Sequence, residues 1–348
     1  MPSIISNETS GNTIPRFTMP ILSHVANNIM KTMQAGIDEA TVNYDWTITL
    51  EKRLGEGEFG IVFKATMKKD ISTREVAIKQ VKNIANQGQL DSLRTELEIM
   101  NLLKDQPHQN LVSLIDHLQI DGEAGCLVME YCNLGQLKDY LRYNNTTLLL
   151  EADVGEINSM SLCVWAHHIS KGMGYLQQRK IMHGDLAARN VLLSTDNNGH
   201  PIAKINDFGL AKNFWLAESV YTDCQEVSKN SKLPWKWMAY EVLAIDPNYT
   251  LKSDVWSFGV LLWELLSIGR MPYPEYLKLD GQFLEFLKDG HFLTFPDELE
   301  NVETWSPKSL FDDVSRLCFQ IDESKRGSFF DVTKIIESYL YESYVVVT

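Results

Sequence analysis

The order of strand-like and helix-like segments constrains the fold of this 348-residue chain more than any other feature. Short runs rich in β-branched residues follow one another between residues 47 and 81, and two more lie at 111–118 and 126–131. Between these groups, residues 89–104 carry apolar side chains at helical spacing. The first part of the chain therefore predicts a small antiparallel sheet with one main helix.

The remainder of the chain is mostly helical in pattern. After Asn133, apolar stripes suited to helix packing occupy residues 161–178, 253–268, 281–289 and 308–320. We predict an α+β fold in a domain at 45–342, with a smaller lobe at about 45–130, a hinge at about 130–135 and a larger lobe at about 136–342. Two lobes joined by a hinge predict a cleft between them. Residues 1–44 are expected to form a flexible arm with one weak helix between Pro20 and Met33.

Composition excludes several classes of function. The net charge of −14 disfavours binding to nucleic acid or to anionic lipid. Five cysteines at irregular spacing, without a CxxC pair, indicate neither a disulfide framework nor a zinc site. No signal peptide and no uninterrupted apolar stretch of membrane-spanning length is visible, so we expect a cytoplasmic location, with membrane association through partners left open. The sequence gives no indication of oligomeric state.

A glycine-rich motif, Gly55-Glu-Gly57-Glu-Phe-Gly60, follows the first strand-like run. Alone it is weak evidence, because GxGxxG also marks dinucleotide-binding folds. Those folds require a helix to begin at this point, so that its N-terminus faces the pyrophosphate. Here Ile61-Val62-Phe63 favours a second strand instead. The motif therefore predicts a hairpin whose backbone lies over phosphate groups, with a simple glycine-rich turn as the alternative.

Lys79 ends the apolar run that begins at Val76, nineteen residues after Gly60. Such a lysine usually points to solvent, but a phosphate-binding turn upstream favours a position in the cleft. Its charge would then need a carboxylate to hold it, and Glu96 and Glu98 are the candidates on the following helix. Glu96 is favoured because its face of the helix carries three apolar residues, Leu93, Leu97 and Met100.

The most specific cluster is His183-Gly-Asp-Leu-Ala-Ala-Arg-Asn190, followed seventeen residues later by Asp207-Phe-Gly. With the preceding motifs in the same order, this cluster resembles the protein kinase family over roughly residues 48–340. The Ala-Ala-Arg triplet that ends at Arg189 resembles the receptor-type tyrosine kinases. The resemblance implies the two-lobed kinase fold and the use of ATP with Mg²⁺, or Mn²⁺ in its place.

The resemblance implies a role for each residue that matches a motif. Asp185 would orient the substrate hydroxyl and accept its proton. Asn190 and Asp207 would hold the metal ion, which neutralises charge on the phosphates. Lys79 would bind the α- and β-phosphates and pair with Glu96. Phosphoryl transfer requires little covalent chemistry from the protein, so these groups mainly position the reactants and neutralise the charge of the phosphates.

The resemblance also implies where the nucleotide binds. The segment Cys126–Cys132 matches the strand and hinge that receive adenine, with Met129 at the back wall. By spacing alone, Val128 and Met129 fit an ordinary core equally well. The residues expected to contact the nucleotide are Leu54, Gly55, Glu56, Gly57, Gly60, Val62, Ala77, Lys79, Met129, Glu130, Cys132 and Leu192.

Tyrosine preference is implied at two places. Arg189 resembles the tyrosine-kinase replacement for a lysine of serine/threonine kinases, and Leu233–Ala239 resembles the segment that supports a phenol side chain. The expected activity is transfer of the γ-phosphate of ATP to tyrosine hydroxyls of protein substrates, in a signalling role. Asp254 is expected to hydrogen-bond the backbone near Asp185, and Arg326 is expected to pair with Glu241.

Three positions depart from the family pattern. Gly184 replaces the arginine that often meets a phosphorylated loop, so we expect activity to depend weakly on phosphorylation at Tyr221. Tyr240 and Gly327 each replace a proline. The alternative is a pseudokinase that binds nucleotide or partners as a scaffold. An active enzyme is favoured because none of the five residues that handle phosphate and metal is altered, namely Lys79, Glu96, Asp185, Asn190 and Asp207.

Overall fold

The computed structural model describes residues 46–57, 60–82, 86–120, 123–148, 158–214, 233–244, 247–296 and 307–347. The predicted arm at 1–44, with its weak helix, lies outside these residues. The chain divides into two compact units, one formed by Met1–Thr47 with Lys69–Ile71 and the other by Ile48–Lys68 with Ser72–Thr348. Every residue of the candidate site belongs to the second unit.

A five-stranded sheet occupies the first part of the described chain. Its strands are β1 (Trp46–Glu56), β2 (Ile61–Lys69), β3 (Ser72–Gln80), β4 (Leu114–Ile120) and β5 (Glu123–Glu130), in the spatial order β1-β2-β3-β5-β4. β3 and β5 are antiparallel, with Ala77 opposite Met129 and Lys79 opposite Leu127. The residues from Val76 to Gln80 are all buried, which fits a central strand covered on both faces.

Helix α1 (Gln87–Lys104) packs on this sheet. The Asn86 side chain caps its N-terminus by accepting a hydrogen bond from the Gln89 N–H at 3.2 Å. The buried face of α1 includes Leu93, Glu96 and Met100, which recur at the spacing of a helix face. The helix expected at 89–104 is therefore present, two residues longer at its start.

The connection after β5 leads into a mixed region. Short strand β6 (Gly135–Gln136) is followed by α2 (Leu137–Leu148) and α3 (Ser159–Gln178). Two small sheets follow, one pairing β7 (Ile181–Met182) with β10 (Lys212–Asn213), the other ordering β6, β8 (Val191–Thr195) and β9 (Pro201–Ile205). These short strands leave the residues between β7 and β8, and those after β9, in irregular loops that face the cleft.

The remaining described elements are helical: α4 (Tyr240–Leu243), α5 (Ser253–Leu266), α6 (Gly281–Lys288), α7 (Pro307–Cys318) and α8 (Phe329–Val347). All fourteen residues of α5 are buried, so this helix forms the centre of the larger lobe. α7 packs on α5, and α8 packs on α3. The Phe258 and Phe329 rings meet edge to face with centroids 5.7 Å apart, joining α5 to α8.

The expected α+β fold with two lobes is confirmed, and the four predicted helical segments correspond to α3, α5, α6 and α7. The apolar pattern did not predict α2 and α8. α2 contains Asn-Asn-Thr-Thr in its last turns, and α8 is rich in Val, Ile and Tyr, residue types with low helix propensity. Packing of α8 against α3 overrides this local preference. The limits of the arm and of the 45–342 domain stay predictions.

Within the described part of the chain, no helix combines the length and the apolar character that a membrane span requires. The cytoplasmic location expected from the sequence stays a prediction.

Candidate active site

One cleft of about 940 Å³ collects almost all of the predicted site residues. Its lining includes all twelve residues expected to contact a nucleotide, together with Asp185, Arg189, Asn190 and Asp207. Glu96 lies behind this lining, fully buried and paired with Lys79. Volume and lining fit a small-molecule site, because such sites are mostly apolar with a few convergent polar groups.

The glycine-rich turn lies between β1 and β2. The Gly57 N–H donates to the Gly60 carbonyl oxygen at 3.0 Å, which closes a tight turn, and strand β2 follows at once from Ile61. A Cβ on Gly60 would lie 2.5 Å from the Gln80 carbonyl oxygen, so only glycine fits there. A strand at this point rules out the dinucleotide-binding arrangement, which needs a helix.

Lys79 lies at the centre of a buried ion cluster. Its Nζ is 2.6 Å from Glu96 Oε2 and 2.9 Å from Asp207 Oδ1. Lys79 and Glu96 are buried, whereas the Asp207 side chain is about one-third exposed. The structure thus places Glu96 beside Lys79, and the alternative partner Glu98 is exposed.

The three charged groups of this cluster shift one another's pKa values. Burial lowers the pKa of Lys79, but the carboxylates of Asp207 and Glu96 outweigh it and raise that pKa above its usual value. Burial, offset in part by Lys79, raises the pKa of Glu96 to about 7. Burial raises the pKa of Asp207, but the charge of Lys79 outweighs burial and lowers that pKa below its usual value. The cluster therefore holds a firmly charged lysine and an ionised Asp207 facing the cleft.

The turn at Asp207-Phe208-Gly209 is shaped by its neighbours. Asp207 adopts φ 68°, a left-handed conformation that is uncommon outside glycine. The Phe208 side chain is fully buried and lies against His183 at a centroid distance of 5.5 Å. The Ser92 hydroxyl on α1 donates to the Gly209 carbonyl oxygen at 3.3 Å. This turn therefore links α1 to the floor of the cleft.

The 183–190 loop presents Asp185 to the cleft. One carboxylate oxygen of Asp185 pairs with the Arg189 guanidinium. The Asn190 side-chain amide donates to the other carboxylate oxygen at 2.7 Å and to the Asp185 carbonyl oxygen at 2.7 Å. Burial, offset in part by Arg189, raises the pKa of Asp185 to about 6. A carboxylate fixed on both oxygens, with a raised pKa, is suited to general base chemistry.

Helix α5 holds the start of this loop. The two carboxylate oxygens of Asp254 accept hydrogen bonds from the backbone N–H groups of His183, at 2.7 Å, and Gly184, at 3.0 Å. Gly184 adopts φ 77°, and a Cβ there would lie 2.7 Å from the Leu210 carbonyl oxygen. Glycine therefore relieves strain at the position where the family pattern has arginine.

The 233–239 segment lies beside Arg189. The Arg189 guanidinium stacks over the Trp237 ring at 4.5 Å from its centroid. Lys236 donates hydrogen bonds to the carbonyl oxygens of Pro272, at 3.1 Å, and Tyr273, at 2.7 Å. Leu233, Pro234 and Trp237 line the same cleft as Asp185.

The departure at Tyr240 leaves the neighbouring ion pair in place. Tyr240 begins α4, and Glu241 next to it receives two hydrogen bonds from Arg326, at 2.8 and 2.9 Å. This places the expected Glu241–Arg326 pair in the larger lobe. Tyr221, the predicted phosphorylation site, lies outside the described residues.

Sequence reasoning missed part of the lining. Tyr131, Asn133, Leu134 and Gly135 lie within the predicted hinge but were not among the residues expected to contact the nucleotide. The other missed residues have no motif of their own, and only their position next to the predicted hinge, strands and loops could have indicated them: Val112, Gln136, Lys138, Asp139, Asn206 and Leu210. Lys138 and Asp139 lie in the first turn of α2, the helix that the apolar pattern did not predict. Their place in the cleft therefore could not follow from the sequence.

Comparison with known proteins identifies the family. Residues 48–336 match the model of the family described as protein tyrosine and serine/threonine kinase. The chain belongs to the protein kinase family. The geometry of this kinase's cleft can therefore be interpreted with the chemistry of phosphoryl transfer.

The kinase is similar to receptor proteins from several vertebrates. It is 35% identical over 291 residues to fibroblast growth factor receptor 1 of Xenopus laevis, covering 77% of this chain and 34% of that receptor. It is 35% identical over 267 residues to fibroblast growth factor receptor 1 of Pleurodeles waltl, covering 73% and 31%. It is 29% identical over 378 aligned residues to mast/stem cell growth factor receptor kita of Danio rerio, covering 88% and 36%. The chain thus spans about a third of the length of these curated relatives.

Proposed function

We propose that this kinase transfers the γ-phosphate of ATP to tyrosine hydroxyls of protein substrates. The observation that carries the proposal is that Lys79, Asp185, Asn190 and Asp207 line one cleft with their charged partners in place. Each of these groups already has its orienting contact, so little rearrangement is needed before reaction. The likeness to growth factor receptors supports a role in signalling.

The cleft fits ATP. Apolar side chains of Val62, Ala77, Met129 and Leu192 provide surfaces for the adenine ring. At the other end, Lys79 is a buried cation, and its charge favours the α- and β-phosphates. A Cβ on Gly57 would meet no atom within 4 Å, so the turn leaves open space in which phosphates can approach the backbone.

Asp207 and Asn190 would hold Mg²⁺, or Mn²⁺ in its place. Their carboxylate and amide oxygens are the hard ligands that these ions prefer, and Mg²⁺ usually combines one or two carboxylates with substrate phosphates. The ion, when bound, supplies positive charge that neutralises the transferring phosphate. Asp207 is suited to this because Lys79 keeps its pKa low and its carboxylate ionised.

Asp185 would orient the acceptor hydroxyl and take its proton. The Arg189 and Asn190 contacts hold both carboxylate oxygens of Asp185, so the group has a defined orientation toward the cleft. General base catalysis of this kind contributes on the order of 10²–10⁴ in rate. Phosphate transfer should therefore fall by about that factor in an Asp185→Asn variant.

Tyrosine preference rests on the surface beside Asp185. The guanidinium of Arg189 lies over the Trp237 ring, and both residues line the cleft. An aromatic surface of this kind suits an aromatic acceptor, since a phenol ring presents a wide apolar face as well as a hydroxyl. Serine carries its hydroxyl on a single side-chain carbon. With the peptide backbone in the position that a tyrosine substrate would take, the serine hydroxyl would therefore not reach Asp185.

The test is phosphate transfer from ATP and Mg²⁺ to a mixed Glu/Tyr polymer, by the wild-type chain and by Asp185→Asn. The proposal expects tyrosine phosphorylation that the variant loses. A pseudokinase is the second candidate, favoured by the glycine at position 184. It would give no transfer by the wild-type chain, while ATP still raises the melting temperature.

A further inference from the structure

Glu264 is a buried carboxylate in α5 that the proposed chemistry does not use. It is 2% exposed and lies ten residues after Asp254, within a helix whose residues are all buried. Burial raises its pKa, since an ionised carboxylate is costly to remove from water. Carboxylates in such positions are kept when they make strong hydrogen bonds.

A single oxygen of Glu264 joins two segments that are distant in sequence. Its Oε2 accepts the backbone N–H of Ala188 at 2.9 Å and the indole Nε1–H of Trp237 at 2.7 Å. Ala188 belongs to the loop that carries Asp185, and Trp237 belongs to the segment beside it. Hydrogen bonds to a charged acceptor are stronger than neutral ones, so Glu264 fixes these two segments together firmly.

The contacts continue from Trp237 to the reacting group. The Trp237 ring lies under the Arg189 guanidinium at 4.5 Å, and that guanidinium pairs with Asp185. The indole hydrogen bond fixes the plane in which the Trp237 ring lies. The orientation of the ring in turn fixes the position of the Arg189 guanidinium beside Asp185. Glu264 therefore influences Asp185 indirectly, through the side chains of Trp237 and Arg189.

Asp254 and Glu264 bind opposite ends of the 183–190 loop. Among the described residues, Asp254 accepts hydrogen bonds from the backbone at the start of this loop, through His183 and Gly184. Glu264 bonds to the backbone at Ala188, near the loop's end, and also to the Trp237 side chain. The bond from the Trp237 side chain distinguishes Glu264 from Asp254 among the described residues. It connects Glu264 to the acceptor surface, in addition to the bond that stabilises the loop.

We propose that Glu264 is a positioning residue that sets the acceptor-binding surface of Trp237 and Arg189 for the incoming tyrosine. This inference rests on the proposed tyrosine kinase function. It predicts that Glu264 influences the peptide acceptor much more than ATP, because the glycine-rich turn and Lys79 are held by other contacts.

The test compares Glu264→Ala and Glu264→Gln with the wild-type chain, measuring KM for a tyrosine peptide and for ATP. The alanine variant loses both hydrogen bonds, and we expect its peptide KM to rise roughly tenfold with the ATP KM within about twofold. Glutamine retains one acceptor oxygen, so it should recover most of the peptide KM. Equal rises in both KM values, or an unchanged peptide KM in the alanine variant, would overturn the inference.

Two further variants separate positioning from general stability. Trp237→Phe keeps an aromatic ring but removes the indole N–H, and it should raise the peptide KM without a further rise when combined with Glu264→Ala. Ser267→Ala removes a buried hydroxyl that donates to the Glu264 backbone carbonyl oxygen and not to its carboxylate, and it should leave the peptide KM unchanged. If Trp237→Phe and Glu264→Ala raised the peptide KM additively, or if Ser267→Ala raised it as much as Glu264→Ala, the cause would be loss of helix stability and not positioning.

Equilibrium binding of the tyrosine peptide, measured by fluorescence anisotropy, separates this inference from the proposed function. A wild-type chain that transfers no phosphate contradicts the proposed function. If that chain still binds the peptide, and Glu264→Ala weakens the binding roughly tenfold, the positioning role stands on its own. Equal peptide affinities of the wild-type chain and the alanine variant would overturn it whether or not transfer occurs.

Discussion

Asp185 shows at the scale of one residue how burial sets the chemistry of the cleft. Its pKa is raised to about 6, because burial outweighs the favourable charge of Arg189. The ionised form is the one that can accept a proton from the substrate. We expect kcat/KM for a tyrosine peptide to rise through pH 6 and to be about tenfold below its plateau at pH 5.

The pH profile is measured at saturating ATP and Mg²⁺, with ATP affinity and the folded fraction followed at each pH as controls. An Asp185 with the ordinary aspartate pKa near 4 would keep almost full activity at pH 5. A profile that is flat between pH 5 and 7 would therefore contradict the raised pKa.

The Lys79 cluster permits a second prediction at this scale. Lys79→Met removes the cation and leaves Glu96 and Asp207 without their ion-pair partner, which should cost about 1–3 kcal/mol in the free energy of unfolding at pH 8. Burial raises the folded-state pKa of Glu96 to about 7 even beside Lys79, and loss of Lys79 raises that pKa further. Protonation of Glu96 therefore relieves its unpaired charge as the pH falls, and the cost should be smaller at pH 6 than at pH 8.

The matched control is the double variant Lys79→Met, Glu96→Gln, which removes the unpaired charge at Glu96. It should recover stability at pH 8 without recovering phosphate transfer, as measured by denaturant unfolding and by activity. A stability loss that is the same at pH 6 and pH 8 would contradict this account.

Some residue contacts followed from sequence and others did not. The helical spacing of Leu93, Leu97 and Met100 placed Glu96, rather than Glu98, toward the core, and the structure has Glu96 buried and Glu98 exposed. The role of Glu264 could not be predicted, because every residue of its helix is buried and its partners come from two other segments. Contacts of that kind depend on tertiary packing.

At the scale of the elements, the crossing of α5 and α7 depends on Gly259. A Cβ on Gly259 would lie 2.7 Å from the Cys318 Cβ and 2.9 Å from the Phe319 ring. We expect Gly259→Ala to destabilise the protein by about 1–3 kcal/mol, although alanine favours helix. Gly174→Ala in α3 is the matched control, because its Cβ would meet Phe329 at an ordinary 3.7 Å.

Denaturant unfolding of both variants checks this prediction. Gly174→Ala should be neutral or stabilising by up to about 1 kcal/mol. If Gly259→Ala were as stable as Gly174→Ala, the two helices would have to be able to separate at no cost, contrary to the close packing of the core.

The elements also show where sequence patterns suffice. The strands and α1 were predicted because their apolar periods are regular and their turns contain glycine or polar residues. α8 was missed because its Val-, Ile- and Tyr-rich sequence has strand propensity, whereas its packing on α3 and α7 stabilises a helix. Long-range packing of this kind has no local signature.

At the scale of the whole molecule, the glycine at position 184 bears on regulation. The position has φ 77° and close contact with Leu210, so glycine is the unstrained residue, and no arginine is available there to meet a phosphorylated loop. We expect Tyr221→Phe to keep most of the wild-type phosphate transfer. Collapse of activity in that variant, with folding unchanged, would contradict the prediction.

The central claim is that the molecule is an active kinase with tyrosine preference. The most direct measurement is kcat/KM for two peptides that are identical except for tyrosine or serine at the acceptor position, with Asp185→Asn as the inactive control. We expect the tyrosine peptide to be favoured on the order of 10²-fold or more, and transfer to either peptide to fall on the order of 10²–10⁴-fold in Asp185→Asn. Equal rates on the two peptides, or no transfer by the wild-type chain, would contradict it.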